Sequence, residues 1–269
     1  MKLFDDFGRR LPTNGDRVFG NKPSFYYKLN QPKIDYEIIL QRAKKYGLCS
    51  DDLTLNHFQS KAITLLDSIK KNDAFSQIAK GVHIPFIYSN PNKIQDIGTN
   101  LEEKILPVLK ESFTDRFPNS HFKAVLQSDS ELKNNISIHP DSNYKNFIDD
   151  SSDGLIGWYF PQVFQEFDID SQRAQLKKLP AIEGVKLCLS GGMDISAALI
   201  SSPELLIDKD HYTPILCMSA YVHKDERLIL LLKAYGPHME FWCMTQMLSK
   251  RTKQVSEQWA GGLSLYTKI

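Results

Sequence analysis

The sequence predicts an α+β fold of mixed α/β layers: a mixed sheet with a central antiparallel hairpin, helices packed on it, and an N-terminal helical region. Three observations carry this. Apolar residues recur at helical spacing through residues 34–80, and short β-branched or aromatic runs replace them from residue 83 onward. In the last third, the strand-like runs 215–222 and 227–235 are joined only by His223-Lys224-Asp225-Glu226, a link short enough to require an antiparallel hairpin. Both runs are apolar on both faces, which places the hairpin in the middle of a sheet covered on both sides.

Residues 1–33 read as an extended arm pinned by Phe4, Phe7 and the Phe25-Tyr26-Tyr27 cluster. Tyr36, Ile39, Leu40 and Ala43 mark a first helix stopped by Gly47. Ser50 or Asp51 is expected to cap a second, whose face is Leu55, Phe58, Ala62, Leu65, Leu66 and Ile69. The stretch 83–88 reads as a strand, at an edge or a strand start because of Pro85. Asn100 with Glu103 resembles a capping box, and Pro107 should kink the helix that follows unless that helix only begins nearby. Strands are expected at 122–126 and 136–138, an exposed polar loop at 139–154, and a helical segment opened by Pro161 and running to about Lys178, with a break near Asp168–Asp170 as an alternative. A strand at 185–189, a helix from Gly192 to before Pro203, a helix started by Gly236-Pro237 and a last strand at 259–267 complete the chain. The organisation is a 1–82 arm-and-helix region and an 83–269 α+β core, either separate or one continuous domain.

With 42% hydrophobic and 24% charged residues, the 269-residue chain can bury a sizeable core. A net charge of +1 removes the global electrostatic argument for nucleic acid or an anionic membrane as a partner. Cys49, Cys188, Cys217 and Cys243 form no C-x-x-C pair, and three of them sit in apolar stretches, as expected for reduced thiols in the cytoplasm. The first residues lack the apolar core of a signal peptide, although export by a route without a cleavable signal leaves no mark in a sequence. The longest apolar run, 228–232, is too short for a bilayer.

The sharpest local signal is Ser190-Gly191-Gly192-Met193-Asp194-Ile195-Ser196, between an apolar strand and a helix rich in Ala and Leu. Such a junction offers backbone N–H groups and the positive end of a helix to phosphate or carboxylate. The segment resembles the SGGxDS loop of the ATP pyrophosphatase family. Ser190, Gly191, Gly192 and Asp194 match, while Ile195 replaces the next serine and Ser196 is displaced by one position. The resemblance implies a loop that holds the pyrophosphate of ATP during adenylation.

Two readings follow. In the first, a small anionic ligand is held by Ser190, Gly191, Gly192 and Ser196, and Asp194 binds a metal or caps the helix. His238 and Glu240 approach from the neighbouring helix start as an acid–base pair, which leaves an enzyme open without naming a cofactor. In the second, the chain is a non-catalytic protein-interaction module that works through the aromatic arm and the 139–154 loop. An open cleft at the junction favours the first reading. A dry, closed junction with Asp194 capping its own helix favours the second. A dedicated metal site is not expected, because no two histidines stand at i, i+4 and the 149–160 stretch lacks the acidic twelfth residue of a calcium loop.

Overall fold

The computed structural model describes residues 2–20, 25–126, 132–245, 247–249, 252–253 and 255–269. Its α-helices are α1 (Tyr36–Lys45), α2 (Leu55–Lys71), α3 (Ile97–Asn100), α4 (Leu106–Arg116), α5 (Tyr144–Asp150), α6 (Ile169–Leu176) and α7 (Gly192–Ser201). The first strands are β1 (Ile84–Tyr88), β2 (Phe122–Val125), β3 (Ile136–Ile138), β4 (Leu155–Gln165), β5 (Lys186–Leu189) and β6 (Ile215–Cys217). The remainder are β7 (Tyr221–His223), β8 (Leu228–Tyr235), β9 (His238–Thr245), β10 (Met247–Ser249), β11 (Thr252–Lys253) and β12 (Trp259–Lys268).

The α+β expectation holds. The main sheet runs β1-β4-β12-β6-β8-β9-β2, with β5 also paired to β12. It is mixed, since β12 with β6 and β2 with β9 are parallel while the other pairs are antiparallel. The β6–β8 pair sits in the middle, as the apolar patterning of both runs requires. Residues 221–223 do not continue β6, however. They leave the sheet as β7 and pair with β3.

Both faces of the sheet are covered. Leu216, Leu230, Leu232, Met239 and Phe241 join the principal core. Their neighbours Ile215, Cys217, Ile229, Leu231 and Trp259 face the other way, against Ile169 of α6. The principal core is continuous from Phe4 and Phe58 through Phe86 and Trp158 to Tyr266, so the side chains of the first 82 residues and of the rest pack in one cluster. Trp158 of β4 donates its indole N–H to the Ala62 carbonyl of α2 at 2.8 Å.

Several expectations need correction. No helix starts at Gly236-Pro237. Gly236, at φ +57°, makes a turn that L side chains resist, and β9 returns antiparallel to β8 with Tyr235 opposite His238. Pro161 opens no helix either, because it lies inside β4. It is tolerated there because β1 pairs only as far as Tyr159, and the β12 register shifts between Phe160↔Leu263 and Phe164↔Gly261, so no ladder bond is asked of its nitrogen. Asn100 caps nothing, since Asp96 accepts from Thr99 N at 2.6 Å and starts the helical run. Thr54, not Ser50 or Asp51, caps α2. Between α3 and α4 the residues Leu101–Ile105 form a π turn, with Leu106 N–H bonded to the Leu101 carbonyl. Pro107 just beyond offers no N–H to Glu103, and the one-residue slip absorbs that loss without breaking the helix. The polar 139–154 stretch is not an exposed loop, because it folds into α5 and flanking short turns with Tyr144 and Phe147 fully buried.

Candidate functional site

The Ser190–Ser196 junction lies where β12 changes partners. Its first residues pair with β6, Trp259 opposite Ile215 through Gly261 opposite Cys217. Its later residues pair with β5, Leu263 opposite Leu189 through Tyr266 opposite Lys186. The carboxyl ends of β5 and β6 therefore meet at Gly262, whose carbonyl accepts from Ser190 N at 3.1 Å. Ser190 in turn accepts from Ala220 N at 3.0 Å. A Cβ on Gly262 would stand 2.6 Å from Ser190 Oγ, so glycine is what lets the strands close here.

The helix start is filled by protein. Asp194 Oδ1 accepts from Gly191 N at 2.8 Å and from the Tyr144 hydroxyl at 2.9 Å, and Oδ2 accepts from Ser264 Oγ at 2.6 Å. The same Tyr144 hydroxyl receives Met193 N at 3.1 Å and Asp194 N at 3.4 Å. The Gly192 N–H is directed at the Tyr221 hydroxyl. The donors that an anion would use at a helix N-terminus are thus engaged internally. The glycines have a steric reason as well. A Cβ at Gly191 would lie 2.5 Å from Tyr144 Cζ, and one at Gly192 would run into Leu101 Cδ2.

Ser190, Asp194 and Ser196 are all buried. Burial pushes the Asp194 carboxyl up to about 6, against the lowering effect of its bonds from Ser264, Gly191 and Tyr144. Around it, burial raises the phenols of Tyr144, Tyr159 and Tyr221 and the Cys188 thiol far beyond their usual range. The junction is a buried polar hub. Of the expected ligand residues, Ser190, Gly191 and Gly192 gather in it. Ser196 does not: two residues along α7 from Asp194, or about 200° around the helix, it faces away.

His238 and Glu240 are not brought to Asp194. They stand on β9, separated from β12 by β6 and β8, roughly 14 Å at the usual strand spacing. His238 Nδ1 accepts from His121 N at 3.1 Å, and its ring stacks on His121 at 3.6 Å. Glu240 accepts from Trp242 Nε1 at 2.7 Å and faces Lys233 at 3.5 Å. Tyr144, Tyr221 and Ser264 are the hub residues that the sequence reading missed. The one available signal for Tyr144 was its i, i+3, i+4 spacing with Phe147 and Ile148 inside a polar stretch. Among the described residues no group of three or more His, Cys, Asp or Glu is placed to hold a metal, and no helix is long and apolar enough to cross a membrane.

A second constellation lies on the surface. Phe7, Phe25, Tyr26 and Tyr212 are exposed by 52%, 54%, 56% and 66%. Their rings are in contact: Phe7 meets Phe25 edge-on at 4.9 Å, and Tyr26, next in the chain, stacks on Tyr212 at 5.5 Å. The Arg9 guanidinium lies 5.6 Å from the Phe25 centroid. Only Phe4 of the arm's phenylalanines pins it inward, packed on Phe75 at 5.6 Å. Phe7 and Phe25 point out, contrary to the expectation. The arm is held by Arg10 N to the Val163 carbonyl at 2.7 Å, by Gln165 Nε2 to the Tyr27 carbonyl at 2.9 Å, and by Arg9 with Glu166 at 3.6 Å.

Compared with known proteins, the chain has no significant match to any family model, curated protein or solved structure. The likeness to the ATP pyrophosphatase loop stays confined to its few residues. The strand leading into it is paired antiparallel to β12, not set in a parallel sheet.

Proposed function

We propose that the chain is a non-catalytic protein-interaction module whose docking face is the aromatic patch of Phe7, Phe25, Tyr26 and Tyr212. The carrying observation is that four half-exposed rings meet in two pairs, Phe7 with Phe25 and Tyr26 with Tyr212, where the described segments of the arm are held to the sheet. Clustered exposed aromatic surface marks interaction sites. Aromatic residues and arginine are the side chains enriched in protein interfaces, and here Arg9 lies beside Phe25. A prefixed arm binds without the entropy loss of ordering a free one. The closed state of the Ser190–Asp194 junction supports this reading over an anion-binding one. The partner surface moves from the arm and the 139–154 stretch to the arm with Tyr212, since Tyr144 and Phe147 of α5 are turned inward.

The test is proximity labelling in cells with the wild-type chain and with a Phe25→Ser, Tyr26→Ser, Tyr212→Ser variant whose circular dichroism matches wild type. A labelled protein lost only in the variant, and bound directly by the purified wild-type chain, supports the module. Identical labelling by both chains rejects it. In parallel, ATP, AMP, pyrophosphate and phosphate are offered with and without Mg²⁺ in a thermal shift. A stabilisation lost in Asp194→Ala would restore the anion reading.

A further inference from the structure

Behind the hub, on the opposite face of α7, lies a cavity of about 120 Å³. Leu48, Tyr88, Val108, Met193 and Ile200 contribute to its walls, and Asn100 and Ser196 line it as well. Gly47 and Lys104, both exposed, stand at its mouth. The polar pair is unusual. Both residues are more than nine-tenths buried, and neither Asn100 Oδ1 nor Ser196 Oγ has a hydrogen-bond partner. An unmet buried polar atom is costly in a folded protein, so two of them on one cavity call for an occupant. Asn100 comes from the residue before the π turn, and such turns recur at functional sites.

We propose that this cavity is a binding site for a small apolar molecule carrying one hydroxyl: a phenol, or a cyclic alcohol of similar size. Volume sets the body of the ligand, since an apolar cavity of roughly 150 Å³ takes one benzene ring. The two orphaned atoms set its head. Asn100 Oδ1 needs a donor, and Ser196 Oγ–H can donate to an oxygen. A hydroxyl carries both a proton and lone pairs, so it offers what each atom lacks. A carboxylate has no proton for Asn100, and an ammonium has no lone pair for Ser196 and would stand near Lys104. This site is independent of the aromatic patch and touches the hub through Met193, and it gives Ser196 a ligand role at a place other than the glycine junction.

The experiment is ¹⁹F NMR titration of the full-length chain with 4-fluorophenol and with fluorobenzene. The expected result is that fluorophenol binds about tenfold more tightly, the equivalent of one net hydrogen bond. Asn100→Leu with Ser196→Ala should erase or invert that preference, and Val108→Phe, which fills the cavity from its half-buried rim, should abolish binding of both. Failure of both probes to bind wild type at millimolar concentration overturns the proposal and leaves the cavity to water. So does equal affinity for the two, or binding unaffected by Val108→Phe. The wild-type comparison decides even if the paired variant does not fold.

Discussion

The Tyr144 hydroxyl donates to Asp194 Oδ1 at 2.9 Å while accepting the Met193 N–H of the helix that Asp194 caps at 3.1 Å. One phenol thus satisfies both a buried carboxylate and the first turn of α7. Capping, usually a local affair between neighbours in sequence, is here shared with a residue fifty positions away.

The pH dependence of stability should report the Asp194 carboxyl. Its folded value, about 6, lies above the ordinary value of 3.8, so between roughly pH 4 and 6 the folded chain holds a proton that the unfolded chain has lost. Raising the pH through that window therefore lowers stability, by about 3 kcal/mol in all, and above it the loss is complete. Asp194→Asn lacks the titration. The difference between wild type and this variant, measured by urea denaturation, should fall across the window and then level off. A flat difference would mean that burial does not dominate this group.

Gly191→Ala should cost about 1–3 kcal/mol by forcing the Tyr144 ring out of place. The same change in a Tyr144→Leu background should cost less by at least about 1 kcal/mol, because the obstructing ring is gone. Equal costs in the two backgrounds would show that the glycine is needed for something other than that ring.

All four thiols should be slow toward Ellman's reagent in the native state. Cys188, Cys217 and Cys243 are buried, burial holds Cys217 up to about 12, and it holds the partly buried Cys49 up to about 11. Unfolding in urea should release four equivalents together. A single fast equivalent in the native protein would contradict this.

Trp158→Phe should lower stability by about 1–3 kcal/mol, since the indole is fully buried and its N–H is the direct tie from β4 to α2. Far-UV and near-UV circular dichroism should still change together, as one continuous core requires. Two separated transitions would divide the first 82 residues from the rest.

What was legible depended on how one-sided each pattern was. The face Phe58, Ala62, Leu65, Leu66 and Ile69 has a single period, and it is the buried face of α2. In 238–245, Met239, Trp242 and Cys243 fit helical spacing as well as Met239, Phe241 and Cys243 fit a strand. The Gly-Pro pair then tipped the reading to a helix, although Gly236 turns the chain and β8 across the sheet decides the matter. In β4, Pro161 reads as a helix start, and the register shift opposite β12 is what makes room for it in a strand. At the junction, Asp194 as helix cap could be read from spacing alone. Tyr144 and Ser264 could not, because they reach it through tertiary contacts from α5 and β12.

The place of β12 has a consequence for biosynthesis. The residues that join β4 to β6 and to β5 are made after all three. A nascent chain must therefore keep the apolar edges of β4 and β6 apart, unpaired and open to strangers, until β12 leaves the ribosome. A premature stop a few codons before residue 259 would remove the seam of the sheet, not trim its hem. Such a product is expected to be bound by chaperones or degraded rather than to persist as a shortened fold.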